Sequence, residues 1–288
     1  MIHVFPLSVQ IMQAPFRSLV PAAALLFGLA TALRADVKPA VAPAPVPAVV
    51  APAPPDEPTI PAPKGIDEAS KARFLARHEG FLKDKAAALA KGPIQFVAIG
   101  DSITDGWRGT PKPEDPIQRG GKPVWDKTFG SYNPYNIGIG GDRTQHVLWR
   151  IENGELDGLV PNPKLAMLMI GTNNMANPDD EAIAQGVIKC VEAIRAKLPA
   201  TKILLLAIFP RSPKATDPAR ARLKHINEII AKLDDGGKTV RFLDIGTKFL
   251  DANGDIPIDI MPDALHPNSK GYQIWADAVQ PVVAEMMK

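Results

Sequence analysis

The chain of 288 residues has one cysteine, Cys190, so no disulfide can close within it and a disulfide-stapled scaffold is excluded. It lacks an excess of either charge: 33 basic residues stand against 31 acidic ones, for a formal net charge of +2. A chain so balanced carries no broad basic field, which argues against nucleic acid as a partner. No G-x-G-x-x-G follows the first apolar strand and no P-loop occurs, so a flavin or nucleotide site has no support. The G-x-S-x-G nucleophile elbow is missing as well, which sets aside the α/β-hydrolase arrangement.

Proline is present in quantity and unevenly: thirteen of the 30 prolines precede Gly65. Residues 36–65 alternate Pro, Ala and Val with few large apolar groups, and such a stretch is expected to remain an extended, disordered linker. Before it, Arg17 and the uncharged run from Leu19 to Leu33 read as a secretory signal peptide over residues 1–35, with Ala30-Thr31-Ala32 or Ala35 at the cleavage site and Met12 as an alternative start. The run is short for a bilayer span, which needs about 20 residues. The expectation is a secreted or periplasmic protein with no stable span after cleavage; an uncleaved N-terminal anchor is the alternative.

Residues 66–288 read as one α/β domain. Apolar runs at Gln95–Ile99, Tyr135–Ile139, Leu165–Ile170, Lys202–Ile208 and Thr239–Ile245 alternate with helical segments. Asp67 caps the first of these, and others cover Thr144–Ile151, Asp180–Leu198, Pro218–Leu233 and Ser269–Met287. Five apolar strands alternating with helices predict a parallel sheet covered on both faces. In such sheets ligands bind beyond the carboxyl ends of the strands. The polar clusters GDS, GGD and GTNN each follow a strand end, and DALH lies before the last helix, so all four are expected on one edge.

Ser102 in Gly100-Asp101-Ser102 is a candidate nucleophile, or a plain helix cap. A serine needs a base. Of the five histidines, His3 falls in the leader, His78 and His225 sit on helix faces that read as solvent-exposed, and His146 reads as structural or as pocket wall. His266 follows Asp263 by three residues, so that an Asp in the same turn can hold the ring N–H; an ordinary turn before a helix is the plainer reading. Gly141, Asn173 and the Ser102 N–H are candidates for stabilising an oxyanion. Cys190 lies on the apolar face of its helix and reads as core. Asp142 and Arg143 are placed to fix the loop around Gly141. Arg211 could face pocket or solvent, and the tryptophans core or pocket wall.

The strings FVAIGDSITDGW, NIGIGGDRTQHVLWR, MIGTNNM and DALHPNSKGY resemble the four blocks of SGNH/GDSL hydrolases, and among these the catalytic subunits of intracellular platelet-activating factor acetylhydrolase. The resemblance implies a flavodoxin-like three-layer α/β/α sandwich on a five-stranded parallel sheet. It also implies Ser102, Asp263 and His266 as triad, Ser102, Gly141 and Asn173 as oxyanion hole, and no metal or organic cofactor. Serine esterase action on short-chain, acetyl-type esters follows, and homodimerisation is carried over as an expectation. The export signal and the Pro/Gly-rich loop Arg108–Lys122 depart from the family pattern. They direct the substrate expectation to an extracellular or envelope O-acetylated glycan or small molecule. A lysophospholipase or general short-chain carboxylesterase is the alternative, and a non-catalytic glycan- or partner-binding module on the same scaffold is the alternative of another class.

Overall fold

A computed structural model describes residues 57–112, 114–115 and 120–288. The expected signal peptide and the greater part of the linker lie outside the described residues.

The elements run α1 (Glu68–Leu89), β1 (Phe96–Gly100), α2 (Ser102–Asp105), α3 (Lys122–Phe129), β2 (Tyr135–Asn136), α4 (Thr144–Arg150), β3 (Leu165–Met169), α5 (Asp180–Lys197), β4 (Lys202–Leu206), α6 (Pro218–Ile230), β5 (Val240–Leu243) and α7 (Ser269–Met286). The five strands form one sheet in the order β2-β1-β3-β4-β5, parallel at every pairing. Each strand puts alternate residues on opposite faces, and both sets are buried in β1, β2, β3 and in β4 beyond Lys202. Val97, Ile99, Ala166, Leu168, Ile203 and Leu205 pack with residues of α1, α4, α5 and α6. Phe96, Ala98, Met167, Met169 and Leu204 pack with α3 and α7. The result is a three-layer α/β/α sandwich, as expected. Strand order reverses at β1, which pairs with β2 on one side and β3 on the other. The crevice beyond the carboxyl ends of β1 and β3 is therefore the expected ligand position.

On the second face Trp107, Trp125, Phe129, Phe209, Tyr272 and Trp275 pack ring against ring, tilted, stacked or edge to face, with centroids 4.5–6.0 Å apart. Three of the four tryptophans are thus core. Trp149 is partly buried, beside Phe74 and His78. Cys190 is buried on α5, where burial pushes its thiol far up and out of reach of reactive chemistry.

Besides the shorter β4 and β5 and the additional helix α3, the structure departs from the sequence expectations at three places. β2 stops at Asn136 instead of continuing to Ile139. Single bonds from Ile137 N–H to Ala98 O (2.8 Å) and from Ile139 N–H to Gly100 O (3.2 Å) carry the pairing onward, but the chain bends where Gly138 presses on the Thr104–Asp105 backbone. The linker does not extend to residue 65. Pro58 is buried, its carbonyl accepts Thr144 Oγ1 at 2.7 Å, and Ala62 N–H donates to Gln145 O at 3.1 Å. Proline has no N–H to satisfy, and the first turn of α4 supplies partners for the groups that remain. Residues 57–64 are thus a strap on the α/β domain. Third, His78 is not a surface residue. It is 7% exposed and bonds through Nδ1 to Glu155 Oε1 at 2.8 Å.

Candidate active site

Ser102 is the first residue of α2, directly past β1. Asp101 caps this short helix, its Oδ1 accepting the Ile103 N–H at 2.9 Å. The turn is tight: a Cβ on Gly100 would collide with Thr104 Oγ1 and with the Met169 carbonyl, so only glycine leaves room for the serine to follow the strand so closely. Asp101 is buried, and burial pushes its carboxyl up to about 7 against the opposing Ile103 hydrogen bond. From α7, the buried Tyr272 hydroxyl donates to Ile103 O at 2.7 Å, which ties the last helix to the turn that presents Ser102.

His266 enters from the loop before α7. Its Nε2 lies 2.8 Å from Ser102 Oγ, and its Nδ1 lies 2.8 Å from Asp263 Oδ2. The other carboxylate oxygen, Oδ1, accepts the backbone N–H groups of His266 (2.8 Å) and Leu265 (3.2 Å). Burial alone would raise Asp263, yet these bonds hold its carboxyl below the ordinary value. The turn between the two residues is left-handed at Ala264, φ 54°, a conformation that costs a non-glycine residue on the order of 1 kcal/mol. Bonds from Ala264 N–H to Met261 O (2.8 Å) and from Ser212 N–H to Ala264 O (3.0 Å) hold it there. A hydroxyl on an imidazole that is itself held by a carboxylate is the arrangement that turns serine into a nucleophile.

The loop after β2 passes beside Ser102: a Cβ on Gly140 would lie 3.9 Å from Ser102 Cβ. Gly140 N–H donates to Asp105 Oδ2 at 3.2 Å, and Arg108 braces the same loop through Asn136 O (2.6 Å), Gly138 O (2.7 Å) and the Asp105 carboxylate. Gly141 follows at φ 75°, in left-handed space that favours glycine. The Asn173 amide, past β3, donates to Asp142 O at 2.8 Å and so lies against this loop. Its neighbour Asn174 is fully buried and locks the two loops together, accepting Thr144 N–H at 3.0 Å and donating to Gln145 Oε1 at 3.0 Å. Arg211 is half-buried, and its guanidinium donates to Thr172 O at 2.7 Å, which steadies the segment carrying Asn173.

Behind the loop lies a buried ionic chain. Arg150, 0% exposed, donates to Asp142 Oδ2 at 2.9 Å, to Ile137 O at 2.8 Å and to Glu155 Oε2, and Glu155 holds His78. Burial pushes Asp142 up to about 6, with Arg150 and then Lys64 drawing it back. His146 accepts the Arg143 N–H at 3.0 Å through Nδ1 and helps wall a cavity of about 1040 Å³, together with Gly141, Phe74, Ile60 and Lys64. His225 is exposed and paired with Glu181.

Ser102, Asp263 and His266 are thus in hydrogen-bonding contact, with Gly141 and Asn173 on the adjoining loops. Sequence reasoning misses Asn174, Asp105 and Arg108 as loop braces, and Lys64, which composition assigns to the linker. The Arg108–Lys122 loop closes at its base through Gly121 N–H to Gly106 O and Lys122 N–H to Gly109 O, each 3.0 Å; residues 113 and 116–119 lie outside the described residues.

Residues 98–274 match the model of the GDSL-like lipase/acylhydrolase family. The chain is 30% identical over 206 residues to platelet-activating factor acetylhydrolase IB subunit alpha1 of Bos taurus, covering 72% of this chain and 80% of that one. It is 32% identical over 165 residues to the alpha2 subunit of Rattus norvegicus, covering 57% and 70%. In fold it is similar to a crystal structure of a GDSL-like lipase from Bacteroides thetaiotaomicron, with a TM-score of 0.55, 18% identity and coverage of 72% and 98%. Since the matched span takes in every strand-end loop described above, from Ser102 to His266, the chain belongs to the GDSL-like lipase/acylhydrolase family and is an ester hydrolase of the SGNH type.

Proposed function

We propose that the protein hydrolyses short-chain, acetyl-type esters through a covalent acyl-serine intermediate. The observation that carries this reading is the continuous chain from Ser102 Oγ through His266 to Asp263, 2.8 Å at each link. Ser102 Oγ attacks the ester carbonyl while His266 Nε2 takes its proton. Asp263 holds the Nδ1–H and stabilises the imidazolium. The tetrahedral oxyanion is met by the N–H groups of Ser102 and Gly141 and by the Asn173 amide. His266 then gives the proton to the departing alkoxide, and water repeats the cycle on the acyl-enzyme. Asn173 has two amide hydrogens; one is engaged by Asp142 O, which aims the amide and leaves the second for substrate.

Asn173→Ala is therefore expected to lower kcat about 10²-fold, the usual effect of losing one oxyanion donor, with KM changed only a few-fold. A steady-state comparison checks this, and an unchanged kcat would remove Asn173 from the oxyanion site.

The acyl preference rests on the relatives named above, which are acetylhydrolases by name. The leaving group is assigned to an extracellular or envelope O-acetylated glycan or small molecule, because the leader reads as an export signal. A lysophospholipid or other bulky ester is the second reading. It is favoured by the cavity beside Gly141, whose lining includes Ile60, Phe74 and Ile139. Aryl esters of graded acyl length, assayed with Ser102→Ala alongside, separate the two. Serine-dependent rates falling steeply beyond the shortest acyl groups support the acetylesterase; rates rising with length support the second reading. A folded wild type without activity on any ester would favour a binding module.

A further inference from the structure

The strap formed by residues 57–64 ends over the loop that holds Gly141. Lys64 Nζ donates to the carbonyl of Gly140, and a Cβ on Gly141 would stand only 2.9 Å from the same nitrogen. Gly140 is thereby gripped on both sides, its N–H by Asp105 and its carbonyl by Lys64. The peptide joining Gly140 to Gly141 is planar and trans, so the Gly141 N–H points opposite to the Gly140 carbonyl and away from Lys64. No protein acceptor takes that N–H among the described residues. An ammonium on the carbonyl end of an amide also polarises it, which strengthens the N–H at the other end as a donor.

Lys64 reaches the second oxyanion arm as well. Its nitrogen lies 3.9 Å from Asp142 Oδ1, an oxygen that is buried and without a hydrogen-bond partner. The main-chain carbonyl of that same Asp142 aims Asn173. One cation therefore bears on both groups assigned to the oxyanion, although it comes from sequence far outside the strand-end loops.

We propose that Lys64 is a positioning residue of the oxyanion site, fixing and polarising the Gly140–Gly141 peptide so that the Gly141 N–H meets the charge developing on the substrate carbonyl. The inference rests on the acyl-serine reading above. It makes the end of the Pro/Ala-rich stretch part of the catalytic apparatus, where a passive tether would leave the chemistry untouched.

The test compares full-length wild type, Lys64→Met, Lys64→Arg and Ser102→Ala on 4-nitrophenyl acetate. Lys64 does not contact substrate in this proposal, so its loss should cost less than a direct donor: about tenfold in kcat, against roughly 10²–10³-fold for a donor itself. KM should stay within about twofold, as expected for an interaction felt only in the transition state. Lys64→Arg, which keeps a charged donor within reach of the carbonyl, should recover most of the rate. A strap that served only as a pocket wall would instead raise KM and leave kcat alone, and that result overturns the proposal. So does wild-type kcat in Lys64→Met, or an equal loss in Lys64→Arg. If wild type shows no Ser102-dependent hydrolysis, the acyl-serine reading and this one fall together; if wild type is active and Lys64→Met matches it, only this one falls.

Discussion

Ser102→Ala should fold as the wild type does and lose ester hydrolysis by about 10⁴-fold or more, the scale seen when a triad nucleophile is removed. The fold is expected to survive because Ser102 contributes little to it. The cap on α2 is made by Asp101 to Ile103 N–H, and Tyr272 anchors the turn at Ile103 O; neither bond involves the serine side chain. The partner it leaves behind, His266, is partly open to water, so no buried group is stranded. The activity is expected to vanish because the remaining groups can bind an ester and its oxyanion but offer no atom to form the acyl bond. Intact mass after mixing with an activated ester should show an added acyl group on wild type and none on the variant. Undiminished hydrolysis by a pure Ser102→Ala sample would end the acyl-serine reading.

Much of this site is legible in the amino-acid sequence alone. β1, β3 and β4 read as unbroken apolar runs because both faces of a parallel sheet are buried. The rule that ligands lie beyond the carboxyl ends of such strands then puts Ser102, Gly141 and Asn173 on one edge. Asp263 and His266 are legible as a local pair, three residues apart in one turn. What escapes is long-range. Lys64 stands next to a proline-rich stretch with no pattern of its own, and it is docked by the bonds that Pro58 and Ala62 make with Thr144 and Gln145 and by its own bond to Gly140 O. His78 shows ordinary spacing on an amphipathic helix, and its burial follows from Glu155, which a left-handed Gly154 turns inward beyond α4. Asn174 looks like a second turn asparagine until the GTNN and GGDRT loops are brought face to face. These residues hold separate segments together, and the partner of each lies dozens of positions away.

The same buried contacts carry the other large effect. Arg150→Met is expected to cost about 3–5 kcal/mol of stability, the range for stranding a buried charge by removing its partner. Total stabilities run to only about 5–15 kcal/mol, so the variant should be marginal. Arg150 is fully buried between Asp142 and Glu155 and also donates to Ile137 O. Methionine fills part of the space but leaves two carboxylates facing each other and a backbone carbonyl unpaired. The loss should depend on pH in a set direction. Asp142 already sits near 6, above its ordinary 3.8, through burial that Arg150 partly offsets. A carboxyl raised in the folded state takes up protons on folding, so it lowers stability as pH rises through the interval between the two values. Without Arg150 that interval extends upward. Urea unfolding should therefore find Arg150→Met nearest to wild type around pH 5 and furthest from it around pH 8. Adding Asp142→Asn should return part of the loss at pH 8 and little at pH 5, because it removes the same charge that protonation removes. A variant within about 1 kcal/mol of wild type at both pH values would mean that water reaches this chain and that Arg150 does not neutralise it. Catalysis should register the change too, since Asp142 follows Gly141 in the chain and its carbonyl aims Asn173. A folded Arg150→Met population at pH 5 is therefore expected to turn over more slowly than wild type, with the deficit in kcat.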